Sequence, residues 1–252
     1  MTWVLLRGLT REARHWGSFA AQFEARLAFG NVVALDLPGN GEFNQQLAPV
    51  TVQAMVVFAR QQLLTQGIKP PYNLLAMSLG GMVATSWAQH FAHEIDRLVL
   101  INTSMRPFSS VLERLRPANW LRLGVLAARW AEADHADFSE NMIYQLTCNR
   151  TQQRDQDLAL WHQIRRTAHV SRQNALRQLL AAARFSCANT APPCPVLVLS
   201  SGSDRLVNSV CSTQLAQAWQ ATHHSHPWAG HDLPHDDGKW VCEHIATWLD
   251  NQ

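Results

Sequence analysis

Residues 72–81 constrain the fold most, because an apolar strand-like run there ends at Ser78 and a helix-like run begins at once. The sequence around the serine is Ala-Met-Ser-Leu-Gly-Gly, which places small residues on both sides of it. A tight strand-to-helix turn needs such neighbours, since two backbone segments pass closely there. The general pattern for this turn is Gly-x-Ser-x-Gly, with Ala76 in place of the first glycine. Ser78 is therefore a candidate nucleophile, and the alternative is a serine that only begins a small-residue helix.

The chain before residue 105 alternates between two kinds of apolar pattern. Short continuous apolar runs predict strands at residues 2–6, 31–37, 72–77 and 97–102. Apolar residues at helical spacing predict helices at residues 14–27, 51–66 and 78–93. This alternation predicts an α/β fold, with a mostly parallel sheet of about six strands covered by helices on both faces.

The alternation breaks in the middle of the chain. Residues 105–185 are rich in Ala, Leu and Arg with helical periodicity, and they carry twelve arginines against seven acidic residues. The strand pattern returns at residues 196–200, after a proline-rich stretch, and a helix, a short strand and a last helix follow. We therefore predict a core domain of residues 1–104 and 186–252, with an inserted all-helical cap of residues 105–185.

Composition limits the classes of function. The hydrophobic fraction is 47% and the charged fraction 16%, which is typical of a packed globular protein. No apolar run is long enough to span a membrane, and the N-terminus lacks the features of a signal peptide. The five cysteines have no metal-site spacing, so we expect free thiols, no metal and a cytoplasmic location. The charge is only +2 and the arginines are not interleaved with aromatic residues, so no nucleic-acid partner is expected.

A serine nucleophile needs a base, and the base needs an acid behind it. Asp204 follows the strand at residues 196–200, and His231 follows the last short strand. Loops at the carboxyl ends of parallel strands are where such sheets place their sites. The order Ser78, Asp204, His231 is the order that accompanies this strand-to-helix turn.

Other residues could take the same roles. His235 and His226 are alternative bases, although neither directly follows a glycine after the final strand as His231 does. Asp232 and Asp36 are alternative acids. Asp36 precedes Pro-Gly, and we expect it to have a structural role in the turn.

Backbone amides could stabilise an oxyanion next to Ser78. One expected donor is the amide of Leu79, the residue after the serine. The other is the amide of Leu9, in the turn after the first strand, where Gly8 allows a sharp change of direction. Gly80 is the second small residue that supports the serine turn.

Together these motifs resemble those of the α/β-hydrolase superfamily, over essentially the whole chain. The matching pieces are the Arg-Gly-Leu turn at residues 7–9, the Asp-Leu-Pro-Gly-Asn-Gly turn at residues 36–41, Ser78 in its turn, Asp204, and Gly-His-Asp at residues 230–232. The sequence departs from the usual pattern at Arg7, where a histidine is common, and at Ala76, and the first two strands of the family are missing.

The resemblance implies a cofactor-free serine hydrolase of carboxylic esters with short to medium acyl chains. It is similar to carboxylesterases of the pimeloyl-carrier-protein methyl ester esterase type. The same residues are also associated with cleavage of acyl-carrier-protein or acyl-CoA thioesters, with hydrolysis of carbon–carbon bonds, and with non-catalytic ligand binding on this fold. The expected partner is a small-molecule ester or an acyl group on a carrier, for a monomer or homodimer. The cap arginines either attract such an anionic carrier or are ordinary solvated helix faces.

Overall fold

The computed structural model describes residues 2–27, 30–130 and 136–252, and within them the core is a single six-stranded sheet. The strands, in chain order, are β1 (Thr2–Leu6), β2 (Val32–Leu35), β3 (Tyr72–Met77), β4 (Ile95–Ile101), β5 (Val196–Ser201) and β6 (Thr222–His226). They lie in the order β2-β1-β3-β4-β5-β6, and every neighbouring pair is parallel. The predicted fold class is confirmed.

Helices cover both faces of the sheet. They are α1 (Phe19–Leu27), α2 (Val52–Thr65), α3 (Leu79–His90), α9 (Val210–Trp219) and α10 (Leu233–Asp250). Alternate side chains of the strands point to opposite faces. Leu74 packs with α2, α3 and α9 in one apolar cluster, whereas its neighbour Leu75 packs with α1 and α10 in the other. β3 is therefore buried on both faces, and it lies between β1 and β4 in the middle of the sheet.

Two helices differ from their predicted extent. Residues 14–27 do not form one helix, because Gly17 has φ 53° and separates a short 3-10 turn (Ala13–Trp16) from α1. The last helix, which periodicity predicts over residues 237–250, begins earlier, at Leu233, and Asp237 interrupts its helical backbone. In residues 14–27 the periodicity extends across Gly17 because Trp16, Phe19 and Phe23 are buried in one cluster.

Five helices lie between β4 and β5 in the described part of the chain. They are α4 (Val111–Arg114), α5 (Trp120–Arg129), α6 (Ala136–Thr147), α7 (Arg154–Thr167) and α8 (Arg172–Arg184). We call α4–α8 the inserted helices. Residues 131–135 of the predicted cap lie outside the described residues.

Buried polar contacts tie the inserted helices to the core. Gln178 of α8 accepts a hydrogen bond from the backbone amide of Thr10 at 2.9 Å. Asn174, also of α8, accepts one from the amide of Ala48 at 2.9 Å. None of the described helices is both long and apolar enough to cross a membrane.

Candidate active site

Ser78 occupies a strained turn between β3 and α3. Its φ of 53° and ψ of −120° are unusual for a residue with a side chain, and such strain persists only where the surroundings enforce it. The amide of Ser78 donates to the carbonyl of Ile101, and its carbonyl accepts from the hydroxyl of Thr103. A Cβ atom on Gly80 would lie 2.5 Å from the carbonyl oxygen of Leu6, so only glycine fits there. The small residues predicted around the serine are thus required by close backbone approach.

His231 and Asp204 form a buried hydrogen-bonded pair. His231 Nδ1 donates to Asp204 Oδ2 at 2.7 Å, and the two residues are only 4% and 3% exposed. The other carboxylate oxygen of Asp204 accepts from the amides of Leu206 and Val207 at 2.8 and 3.0 Å. Asp204 is therefore held by its own loop, and it fixes the imidazole with Nε2 on the side away from the carboxylate. This is the arrangement that a base for a serine nucleophile needs.

The surroundings raise the pKa of His231 above its ordinary value. Burial lowers that pKa, but the charge and hydrogen bond of Asp204 outweigh burial, with help from the charge of Asp232. Arg7 opposes them and lowers it. The imidazolium form is thus favoured relative to a free histidine, as expected of a group that must accept a proton from a serine.

Two backbone amides beside Ser78 are free to act as donors. Among the described residues, neither the amide of Leu9 nor that of Leu79 has a hydrogen-bond acceptor. A Cβ atom on Gly8 would lie 3.1 Å from the Cβ of Ser78, so this glycine lets the turn approach the serine. We expected Gly8 to allow the sharp change of direction through its backbone, but its φ is not positive. Thr10, two residues further on, has the positive φ, 59°.

His235, an alternative base, is a charged residue in a different environment. Its Nε2 lies 3.0 Å from a carboxylate oxygen of Asp157, and its Nδ1 lies 3.5 Å from one of Asp236. Burial lowers its pKa, but these carboxylates, together with Cys148, raise the pKa of His235 to about 12. Protonation is therefore favoured at neutral pH, and a protonated imidazole does not suit the role of base.

Asp236 and Cys148 lie beside His235, and ligand atoms of the three are within 4.8 Å of one another. The carboxylate of Asp236 already accepts from the amides of Gly230, Asn149 and Arg150. These hydrogen bonds connect α10 of the core to the loop between α6 and α7. They indicate that the cluster has a structural role, in which it joins the core to the inserted helices.

The remaining alternatives are engaged elsewhere. His226 Nδ1 accepts from the amide of Ala229 at 3.0 Å, and its Nε2 lies 3.2 Å from Asp237. Asp36 accepts from the amides of Ala13 and Glu42 and so holds its turn together. Neither residue lines the cavities that contain Ser78.

Arg7, which departs from the family pattern, pairs with Asp232. Its two terminal nitrogens donate to the two carboxylate oxygens at 3.0 and 2.5 Å, and both side chains are buried. Burial raises the pKa of Asp232, but Arg7 more than reverses this effect and lowers it to about 2. The same guanidinium contacts the sulfur of Met77 at 3.2 Å. Arg7 thus joins the residue before Ser78 to the residue after His231, and Asp232 is occupied as the partner of Arg7.

Asn102 was missed by sequence reasoning. It is buried at the end of β4 with φ 45°, and its side-chain amide donates to the carbonyl of His231 at 2.8 Å. Its Oδ1 accepts from the amide of Ser201 at 2.9 Å. Asn102 therefore joins the ends of β4 and β5 to the histidine loop. Its position directly after an apolar strand was the available signal.

Two adjoining cavities meet at Ser78. The larger has a volume of about 350 Å³ and lies between the core and α4, α5 and α8. The smaller, of about 130 Å³, is lined by both Ser78 and His231. The candidate nucleophile and base therefore face one space, whose combined size falls at the lower end of the range typical for small-molecule sites, about 300–1,000 Å³.

The fold and this site together define a hydrolase scaffold, and comparison with known proteins identifies the family. Residues 3–244 match the model of the Alpha/beta hydrolase family, so the chain belongs to that family.

Individual proteins are also similar. The protein named Putative carbamate hydrolase RutD, from Escherichia coli O17:K52:H18 (strain UMN026 / ExPEC), is 27% identical over 216 residues, covering 85% of this chain and 74% of its own. The enol-lactonase from Burkholderia xenovorans LB400 superposes with a TM-score of 0.79 at 18% identity, covering 99% of this chain and 91% of its own. A thermophilic esterase from Thermogutta terrifontis has a TM-score of 0.74 at 20% identity, with coverage of 100% and 90%. At these identities the solved structures share the fold.

Proposed function

We propose that this protein is a serine hydrolase of carboxylic esters that works through an acyl-enzyme. The observation that carries the proposal is the buried Asp204–His231 pair, which lines the same cavity as the strained Ser78. The names of similar proteins include an esterase, an enol-lactonase and a carbamate hydrolase. Attack of water on a carbonyl carbon is common to those reactions, which supports the same chemistry here.

In the proposed mechanism, Ser78 Oγ attacks the ester carbonyl carbon while His231 Nε2 takes its proton. The amides of Leu9 and Leu79 donate to the oxyanion that forms; one such donor is worth about 10²–10³ in rate. The tetrahedral species collapses, the carbon–oxygen bond to the alcohol breaks, and His231 returns the proton to the leaving oxygen. Water, deprotonated by His231, then attacks the acyl-Ser78 ester; the bond from the acyl carbon to Ser78 Oγ breaks, His231 returns the proton to Oγ, and the acid is released. Asp204 stabilises the imidazolium in both halves of the cycle.

The inserted helices form the cap in this proposal, with residues 105–185 covering a core of residues 1–104 and 186–252. Support comes from the larger cavity, which residues of α4, α5 and α8 line together with Ser78. The core supplies the reacting groups, and the cap determines which acyl groups fit. We expect a small-molecule substrate.

A carrier-bound substrate is less well supported, because most of the cap arginines have internal partners. Arg106, Arg114, Arg116 and Arg177 donate to backbone carbonyls. Arg150, Arg165 and Arg166 lie near carboxylates, Arg154 donates to Asn141, and Arg129 lies over the ring of Phe138. Among the described residues, the side chains without a partner are those of Arg122, Arg172 and Arg184. The charge excess is therefore mainly a feature of packing and helix ends.

The test is labelling of Ser78 with a fluorophosphonate, combined with hydrolysis of methyl acetate. Ser78→Ala should abolish labelling and lower kcat by about 10³ or more, with an unchanged circular dichroism spectrum. Ser104→Ala is the matched control, because Ser104 also lines the larger cavity and should label at Ser78 normally. Folded wild-type protein that neither labels nor hydrolyses esters would refute the proposal and favour a ligand-binding role. Faster cleavage of acyl-CoA than of oxygen esters would favour a thioesterase.

A further inference from the structure

The two cavities at Ser78 differ in size, lining and access to His231. Seven residues line both, so the cavities are continuous with each other at the nucleophile: Leu9, Thr10, Ser78, Leu123, Leu126, Trp130 and Leu206. His231 lines the smaller cavity and is absent from the lining of the larger one. A substrate that spans the two must therefore place one part on the side of the base and the other part away from it.

The chemistry of the proposed reaction assigns these parts. After the tetrahedral species forms, the leaving oxygen must receive a proton from His231, so the alcohol must lie on the side of the imidazole. The acyl chain extends from the same carbonyl carbon in another direction, since the carbon is tetrahedral. The cavity with His231 is thus the alcohol side, and the cavity without it is the acyl side.

The linings fit this assignment. Apolar side chains dominate the larger cavity, including Met82, Leu115, Leu176 and Leu179, and Arg114 and Arg172 also line it. Its volume of about 350 Å³ is more than twice that of the smaller cavity. An alkyl or other apolar acyl chain of medium length matches this space.

The smaller cavity is more polar and much tighter. It is lined by Arg7, Arg11 and Thr147 as well as by His231 and Asp232. Both arginines are buried; Arg7 is paired with Asp232, and Arg11 with Glu140 at 2.6 Å. Its volume of about 130 Å³ is little more than a third of that of the larger cavity. A methyl or ethyl alcohol matches this smaller space better than a long alkyl chain does.

Resting on the proposed serine hydrolase function, we propose that the substrates are esters of a medium-length apolar acyl chain with a small alcohol. The larger cavity binds the acyl chain, and the smaller cavity binds the alcohol and passes it the proton of His231. Specificity is set by the unequal volumes on the two sides of Ser78.

Constitutional isomers test this assignment without any variant. Methyl octanoate and octyl acetate have the same atoms and nearly the same polarity, but they place the long chain on opposite sides of the carbonyl. Because a misplaced methylene group alone can reduce kcat/KM by about 10-fold or more, we expect methyl octanoate to exceed octyl acetate by at least about 10². Both are assayed below their solubility limits by titration of the acid released.

Two filling variants supply an independent comparison. Ala175 lines the larger cavity and not the smaller, so Ala175→Phe should lower kcat/KM for methyl octanoate at least about tenfold more than it lowers kcat/KM for methyl acetate. Ile143 lines the smaller cavity and not the larger, so Ile143→Phe should affect butyl acetate more than methyl octanoate. Circular dichroism and thermal melts establish that each variant is folded.

The outcomes separate this proposal from the one on which it rests. Equal or reversed rates for the isomers, or hydrolysis of methyl acetate with no hydrolysis of either isomer, would overturn the cavity assignment while leaving a serine hydrolase. Absence of fluorophosphonate labelling together with inactivity on every ester would instead refute the serine hydrolase itself. Preference for methyl octanoate that Ala175→Phe removes supports the assignment.

Discussion

Replacement of Arg7 by methionine should destabilise the protein strongly, because it leaves the buried carboxylate of Asp232 without its partner. Breaking a buried ion pair in this way costs about 3–5 kcal/mol. A second estimate comes from the pKa of Asp232, which falls from 3.8 to about 2 in the folded protein. That difference corresponds to roughly 2.5 kcal/mol of stabilisation at neutral pH, of the same order as the first estimate.

Equilibrium unfolding in urea, followed by tryptophan fluorescence at pH 7, measures this loss. Arg166→Met is the matched control, since Arg166 lies 3.8 Å from a carboxylate oxygen of Asp137 and both side chains are exposed. We expect the control to cost about 1 kcal/mol or less. The double variant Arg7→Met/Asp232→Leu should recover most of the lost stability, because no unpaired charge then remains.

The pH dependence of the free energy of unfolding tests whether Asp232 contributes to stability in the expected direction. The folded-state pKa of Asp232 is lowered, so its contribution to stability is complete above the unfolded pKa of about 4 and is lost as the pH falls towards about 2. The difference in the free energy of unfolding between wild type and Arg7→Met should therefore become smaller as the pH falls over that range. An Arg7→Met protein within about 1 kcal/mol of wild type at pH 7, with additive effects in the double variant, would refute the reasoning.

Other consequences of the site's electrostatics can be measured in the same protein. His235→Gln should reduce the free energy of unfolding most below about pH 6.5 and progressively less as the pH rises towards about 12. The reason is that the raised pKa of His235 stabilises the folded state only while the imidazole is protonated. Unfolding in urea at pH 6 and pH 9 measures this difference, and an equal loss at both pH values would contradict it. The midpoint of the rise of kcat/KM with pH for a neutral ester should lie above about 6.5, since Asp204 and Asp232 outweigh burial in setting the pKa of His231, and a midpoint below that value would show the opposite balance. Asp204→Asn should lower kcat by about 10⁴ while the protein stays folded, whereas Asp232→Asn should affect the unfolding midpoint more than kcat; steady-state kinetics beside thermal melts distinguish them, and the reverse pattern would make Asp232 the acid.

The centre of the sheet was predictable because β1, β3 and β5 are short, almost wholly buried runs of mainly apolar residues. β3 is buried at every position, and the small residues after it can serve only a close turn. The positions of Asp204 and His231 followed from the same rule, since parallel strands end at one edge. These inferences depend on local sequence and topology, which the chain displays directly.

The contacts that arrange the candidate site were not predictable in this way. Arg7 and Asp232 are 225 residues apart, and Asn102 and His231 are 129 residues apart. Their pairing depends on strand register and on side-chain direction, which a single sequence does not specify. The replacement of the usual histidine by Arg7 was a visible departure, but nothing in the sequence identified its partner.

The charge of residues 105–185 illustrates a different limit. Twelve arginines against seven acids suggested an electrostatic field for anionic substrates. Most of these guanidinium groups donate to carbonyls or lie near carboxylates and rings within the fold. A count of charges cannot distinguish a guanidinium that closes a helix end from one that faces solvent.

The anchoring of the inserted helices has a consequence for modularity. Asp236 of α10 accepts hydrogen bonds from the amides of Asn149 and Arg150, and Gln178 of α8 accepts one from the amide of Thr10. Polar groups of the core are therefore hydrogen-bonded by the inserted segment, and polar groups of the inserted segment by the core. An unsatisfied buried group costs about 1–3 kcal/mol. If the inserted helices were exchanged for those of another family member, several of these hydrogen bonds would be lost at once, and each loss would lower the stability of the protein. The two parts are therefore bound to change together during divergence, and new specificities are more accessible through substitutions in the cavity lining than through exchange of the whole segment.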